Sequence, residues 1–155
     1  MFSATFREGQ RLLAEDCPVV ELEDDDPELV GLMLRVLHYQ GSSADYAMEA
    51  ETLARLSLHC DKYDCTRALG PWVQIWLENV TTKDESAKAM GFQILAAFTF
   101  GDTPEFRRKS RTATLQLEPS FVAAWEEEAL FEPLLSSVTG KARAPLNEPV
   151  VTETI

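Results

Sequence analysis

From Asp26 onward the apolar residues return every three or four positions, and that period makes helices the framework of the chain. Asp26-Pro27-Glu28 is the first start signal. The Asp side chain can accept from exposed backbone N–H groups, proline at the first helical position loses no needed donor, and Glu complements the positive helix end. A helix is expected from Pro27 to about Gln40. Leu29, Leu32, Met33, Val36 and Leu37 give it a wide apolar face, which Val30 and Leu34 broaden, so burial on most sides is expected. Gly41 then supplies a left-handed stop.

Further helices follow. Ala50, Leu53, Ala54 and Leu58, with Leu56 on the flank, predict one ending near Lys62. Leu69, Trp72, Val73, Trp76 and Leu77 predict another, in which Gly70-Pro71 implies a kink or a late start. Two large aromatics there imply substantial burial or a partner site. Asp84 to Phe100, ending at Gly101, a start at Thr103-Pro104-Glu105, and Pro119 to Leu130 predict three more. Ahead of all of these, residues 18–23 put Val20 and Leu22 on one face and Val19, Glu21 and Glu23 on the other, the period of a short half-buried strand. From about Ser136, Gly, Pro, Thr and Glu replace the apolar period, and residues 136–155 read as a disordered tail.

The order of these signals resembles the second half of a BTB/POZ domain, especially the fungal type. Met1-Phe2-Ser3 and Phe6-Arg7-Glu8-Gly9 look like a Phe-rich helix ending and its exit loop, and Val19-Val20-Glu21-Leu22 like the strand after it. Asp24-Asp25-Asp26-Pro27-Glu28 is similar to the start of the next helix. Leu34-Arg35-Val36-Leu37-His38-Tyr39-Gln40-Gly41 sits where the family writes a helix ending in Tyr-Thr-Gly, and Cys60-Asp61-Lys62-Tyr63 resembles its Ala-Asp-Lys-Tyr. The resemblance covers roughly the first half of the chain. It implies a mainly α fold: a helical BTB/POZ-like remnant over 1–80 with one short strand, a helical extension over 81–135, and the tail. A complete BTB domain begins with a hairpin and a helix ahead of the point matched by Met1. Those elements carry most of the family's homodimer interface, so homodimerisation is not an expectation here.

Composition bounds the function. At 155 residues, 45% hydrophobic and 26% charged, the chain suits one globular domain. A formal charge of −12 repels phosphate backbones and anionic membrane surfaces, so neither nucleic acid nor membrane is expected as a partner. The sequence shows no apolar run long enough to span a bilayer and no signal-peptide layout. Cys17, Cys60 and Cys65 are an odd set that does not suggest a disulfide framework, which fits a reducing compartment, cytoplasm or nucleus.

Chemistry is sparse. His59, Cys60 and Cys65 lie close together, yet a structural zinc site wants four ligands and Cys-x4-Cys has no second pair; buried thiols beside a helix-end His are the simpler reading. His38 or His59 with Cys60 or Cys65 shows no pairing that sequence can place, and no phosphate loop or nucleophile elbow occurs. No enzyme activity, cofactor or metal is therefore expected. Arg107-Arg108-Lys109-Ser110-Arg111 has the Arg-Arg-x-Ser layout that basophilic kinases accept, which makes Ser110 a candidate phosphosite on what is otherwise a solvated basic face.

What remains is a protein-interaction module. The resemblance implies partners such as a second BTB chain, a transcriptional regulator or a cullin scaffold. The cullin-facing surface of the family maps to Leu37–Leu53, with Tyr39, Tyr46 and Met48 as contact candidates, although Tyr39 also fits a core position. A truncated or degenerate paralogue, or one completed by a strand from another BTB protein, is the alternative, and a metal-binding or Cys-dependent enzyme unrelated to BTB the remote one.

Overall fold

A computed structural model describes residues 10, 19, 22, 25–82, 86–118 and 120–139. The expected strand at 18–23 lies outside these except for Val19 and Leu22, neither of which is in regular structure. Cys17 and residues 140–155 of the expected tail also lie outside.

The fold is mainly α. Its helices are α1 (Pro27–Leu37), α2 (Ala50–Lys62), α3 (Gly70–Glu78), α4 (Ala87–Thr99), α5 (Thr103–Gln116), α6 (Phe121–Glu126) and α7 (Glu132–Thr139), with 3-10 turns at Ser43–Asp45 and Ala129–Phe131. Helix α1 starts at its expected signal, α5 is capped one residue ahead of the expected Thr103, and α4 starts at Ala87, three residues after the expected Asp84. Asp26 caps α1 through the Glu28 N–H at 2.9 Å, Ser86 caps α4 through the Ala89 N–H at 3.1 Å, and Asp102 caps α5 through the Glu105 N–H at 2.9 Å. Gly70-Pro71 is a late start rather than a kink, because proline falls within the first turn of α3.

The ends are less conventional. Helices α1, α2 and α4 all close by the same double bond: Gln40 N–H to Arg35 O and Tyr39 N–H to Val36 O, Cys65 N–H to Cys60 O and Asp64 N–H to Asp61 O, Asp102 N–H to Ala97 O and Gly101 N–H to Phe98 O. This turn needs one left-handed residue. Gly101 fills it in α4 with φ 74°, but Asp64 at 50° and Tyr39 at 58° fill it after α2 and α1. The left-handed stop of α1 is thus Tyr39, two residues before the expected Gly41.

Two apolar clusters form the core. The first joins Leu29, Leu32, Met33 and Val36 of α1, Leu53, Leu56 and Cys60 of α2, Val73, Trp76 and Leu77 of α3, and Ala96 and Ala97 of α4. The second joins Ala50 and Ala54 of α2, Phe92, Ile94 and Leu95 of α4, Ala113 of α5, Trp125 of α6, Phe131 and Leu134. Helices α2 and α4 lie along one another and serve both clusters, and Val80 and Phe106 pack against both. Each fully buried Leu there contributes roughly 1.5–3 kcal/mol of burial. A parallel bridge between Glu49 and Thr81 ties the start of α2 to the segment after α3.

Three expectations need correction. Helix α1 is not buried on most sides: Leu34 is 46% exposed and Val30 half-buried. The single helix read over Pro119–Leu130 is two pieces, because the chain turns after α6 so that Trp125 and Phe131 both enter the second cluster while Glu128 meets Lys88 Nζ at 2.6 Å. Residues 136–139, placed in the tail, belong to α7, whose Leu134 is buried in the same cluster.

Candidate protein-interaction surface

The connection between α1 and α2 is a loop held by side-chain hydrogen bonds. Asp45 organises it: its carboxylate accepts from the Ser42 N–H at 2.8 Å, the Ser42 hydroxyl at 3.0 Å and Arg35 Nη2 at 3.0 Å. The Ser42 amide, then the Arg35 guanidinium, hold the Asp45 carboxyl below its usual range. The Asp45 carbonyl accepts from Trp76 Nε1 at 2.8 Å, which roots the loop in the first cluster and satisfies a buried indole.

An aromatic ladder runs inward from this loop. Tyr46 lies 5.4 Å from the Trp72 ring, Trp72 5.8 Å from Trp76, and Trp76 6.2 Å from Phe100. Gly41 makes room for it, since a Cβ there would collide with the Trp72 ring and come within 3.3 Å of Val36 Cγ2. Gly41 is therefore a close-approach glycine rather than a conformational one.

The sequence-derived contact residues fall in different environments. Tyr39 is 98% exposed and touches no core cluster, which settles its place against the core alternative. Tyr46 is 43% exposed, the outer rung of the ladder. Met48 is half-buried and packs on the first cluster, while its carbonyl accepts from the Thr81 N–H at 2.9 Å and hydroxyl at 3.2 Å. Leu34 on α1 adds exposed apolar area that a reading of α1 as nearly all buried passes over. No local sequence signal separates Leu34 from Leu32 or Met33; only the packing direction of α1 does.

The other candidate chemistry is dispersed. His59 accepts from the Asp26 N–H at Nε2 (3.3 Å) and meets the Arg55 carbonyl through Nδ1 (3.1 Å), pointing to the start of α1 rather than to either thiol. Beside it Asp25, with 3% of its side chain exposed, takes Lys62 Nζ at 2.8 Å and the Tyr63 hydroxyl. Those two hydrogen bonds hold the Asp25 carboxyl below its usual range, and burial with the Asp25 bond pushes Tyr63 up to about 12. Burial raises both Cys60 and Cys65, which keeps them as thiols and unlike an activated nucleophile. Among the described residues no three of His, Cys, Asp and Glu come together as a metal site.

Ser110 is half-buried on α5, one turn from Phe106 and from buried Ala113, and its carbonyl accepts from the Thr114 hydroxyl at 2.9 Å. Its basic neighbours are partly spent: Arg108 is held by Glu105 at 2.8 Å, and Lys109 turns to Gln93 at the edge of a polar groove of about 600 Å³ between α3 and α5.

No helix among the described residues is long and apolar enough to cross a membrane. The class these features define is a mainly helical protein with an exposed aromatic loop surface. No family model, curated protein or solved structure matches the chain.

Proposed function

We propose that the chain is a non-catalytic protein-interaction module of BTB/POZ type, an intracellular adaptor that engages a cullin or a transcriptional regulator through the loop between α1 and α2. One observation carries this reading. Tyr39 occupies a left-handed position, where a non-glycine residue costs roughly 1–2 kcal/mol, and its ring is almost wholly in solvent. Folding gains nothing from a tyrosine there. An exposed tyrosine on an anchored loop is a residue type that partner-binding hot spots favour. Tyr46 and Leu34 are further exposed apolar residues on the loop and on α1, and Met48 packs on the first cluster at the loop's end.

The reading is tested by calorimetric titration with a purified cullin N-terminal domain and with BTB-binding corepressor peptides. Binding of one of these, weakened roughly tenfold or more by Tyr39→Ala with helicity unchanged, is the expected result. Binding that is indifferent to both Tyr39→Ala and Tyr46→Ala would remove this surface from the proposal.

A further inference from the structure

In sequence, His59, Cys60 and Cys65 make a poor zinc set; the fold replaces the histidine with a residue from another helix. His59 is committed to Asp26 and Arg55, whereas Cys65 Sγ lies 3.3 Å from Met33 Sδ of α1. The turn that ends α2 folds Cys65 back over Cys60, with Cys65 N–H to Cys60 O at 3.0 Å and Cys65 Sγ at 3.6 Å from the same carbonyl. Met33 and Cys60 belong to the first cluster, and Cys65 packs against it. Met33 is 4% exposed and Cys60 0%, while half-buried Cys65 leaves the cluster open on one side.

We propose that Met33, Cys60 and Cys65 form a three-sulfur site for Cu(I). Thiolate and thioether donors select soft ions, and three of them without imidazole or carboxylate suit Cu(I), whereas structural zinc sites are four-coordinate. With metal–sulfur bonds of about 2.3 Å, trigonal sulfurs stand about 4 Å apart, so the Cys65–Met33 pair opens by roughly 0.7 Å from its 3.3 Å separation. On binding, two S–H bonds break and two copper–thiolate bonds form. The Met33 sulfur donates a lone pair, and two protons leave to solvent. No oxidant or reductant takes part.

The experiment is an anaerobic competition for Cu(I) against bicinchoninate, using the whole chain with Cys17→Ser so that only the two clustered cysteines remain. The expected result is one equivalent of Cu(I) withdrawn from the chelator, with a thiolate-to-copper charge-transfer band in the ultraviolet. Binding should vanish in Cys60→Ser/Cys65→Ser. Met33→Leu keeps the core volume and should weaken binding roughly tenfold or more, with helicity retained by circular dichroism. Failure of the folded protein to withdraw Cu(I), or an unchanged affinity in folded Met33→Leu, would overturn the three-sulfur site.

Discussion

Replacing Tyr39 by glycine tests the recognition role proposed for it, because folding and that role make opposite demands on the position. Glycine relieves the left-handed strain at φ 58°, so Tyr39→Gly should raise stability to urea by about 1 kcal/mol while abolishing the proposed partner binding. At Gly101, where φ is 74°, alanine should cost about 1 kcal/mol in the same assay. Gly91 differs in kind. Its missing Cβ leaves room for Phe131 Cζ and Trp125 Nε1, each of which would stand 2.7 Å from it, so Gly91→Ala should overpack the second cluster and cost about 1–3 kcal/mol. Tyr63 offers a spectroscopic test. In a protein whose Tyr39 and Tyr46 are phenylalanine, phenolate absorbance should develop near pH 12, and earlier once Asp25→Asn removes the neighbouring charge.

At the scale of elements, α4 decides the architecture. Its Ala96 and Ala97 face the first cluster while Phe92, Ile94 and Leu95 face the second, so the boundary near residue 80 suggested by the resemblance does not divide two independent cores. Residues 1–80 alone should therefore show no cooperative thermal transition by circular dichroism, whereas the whole chain should unfold in one. Leu95→Ala, at a fully buried position on that helix, should cost about 2–5 kcal/mol. The start of α1 was legible because capping is local: Asp26 bonds to the N–H groups of Glu28 and Leu29. The break after α6 was not, because it serves Trp125 and Phe131, which pack against a helix 34 to 40 residues earlier.

Across the whole molecule, the net charge of −12 and the carboxylates held by partners give stability a defined pH dependence. Asp25, Asp45 and Glu128 all have folded-state values below their usual range, through Lys62, the Ser42 amide and Lys88 respectively. As the pH falls the unfolded chain takes up these protons first. The stabilisation is complete above the ordinary carboxylate values near pH 4 and is lost as pH falls through the folded-state values. Urea midpoints should accordingly fall between about pH 6 and about pH 3, and less steeply in Asp25→Asn. What the linear order of residues settled was the helical class, the start of α1 and most of the apolar faces, because caps and the helical period act within a few positions. Which leucine of α1 faces solvent, why Gly41 must lack a side chain beneath Trp72, and which sulfur meets Cys65 were decided by tertiary packing alone. Those outcomes depend on contacts between residues more than thirty positions apart or on the direction in which a whole helix is pressed against its neighbours, and no local pattern encodes either.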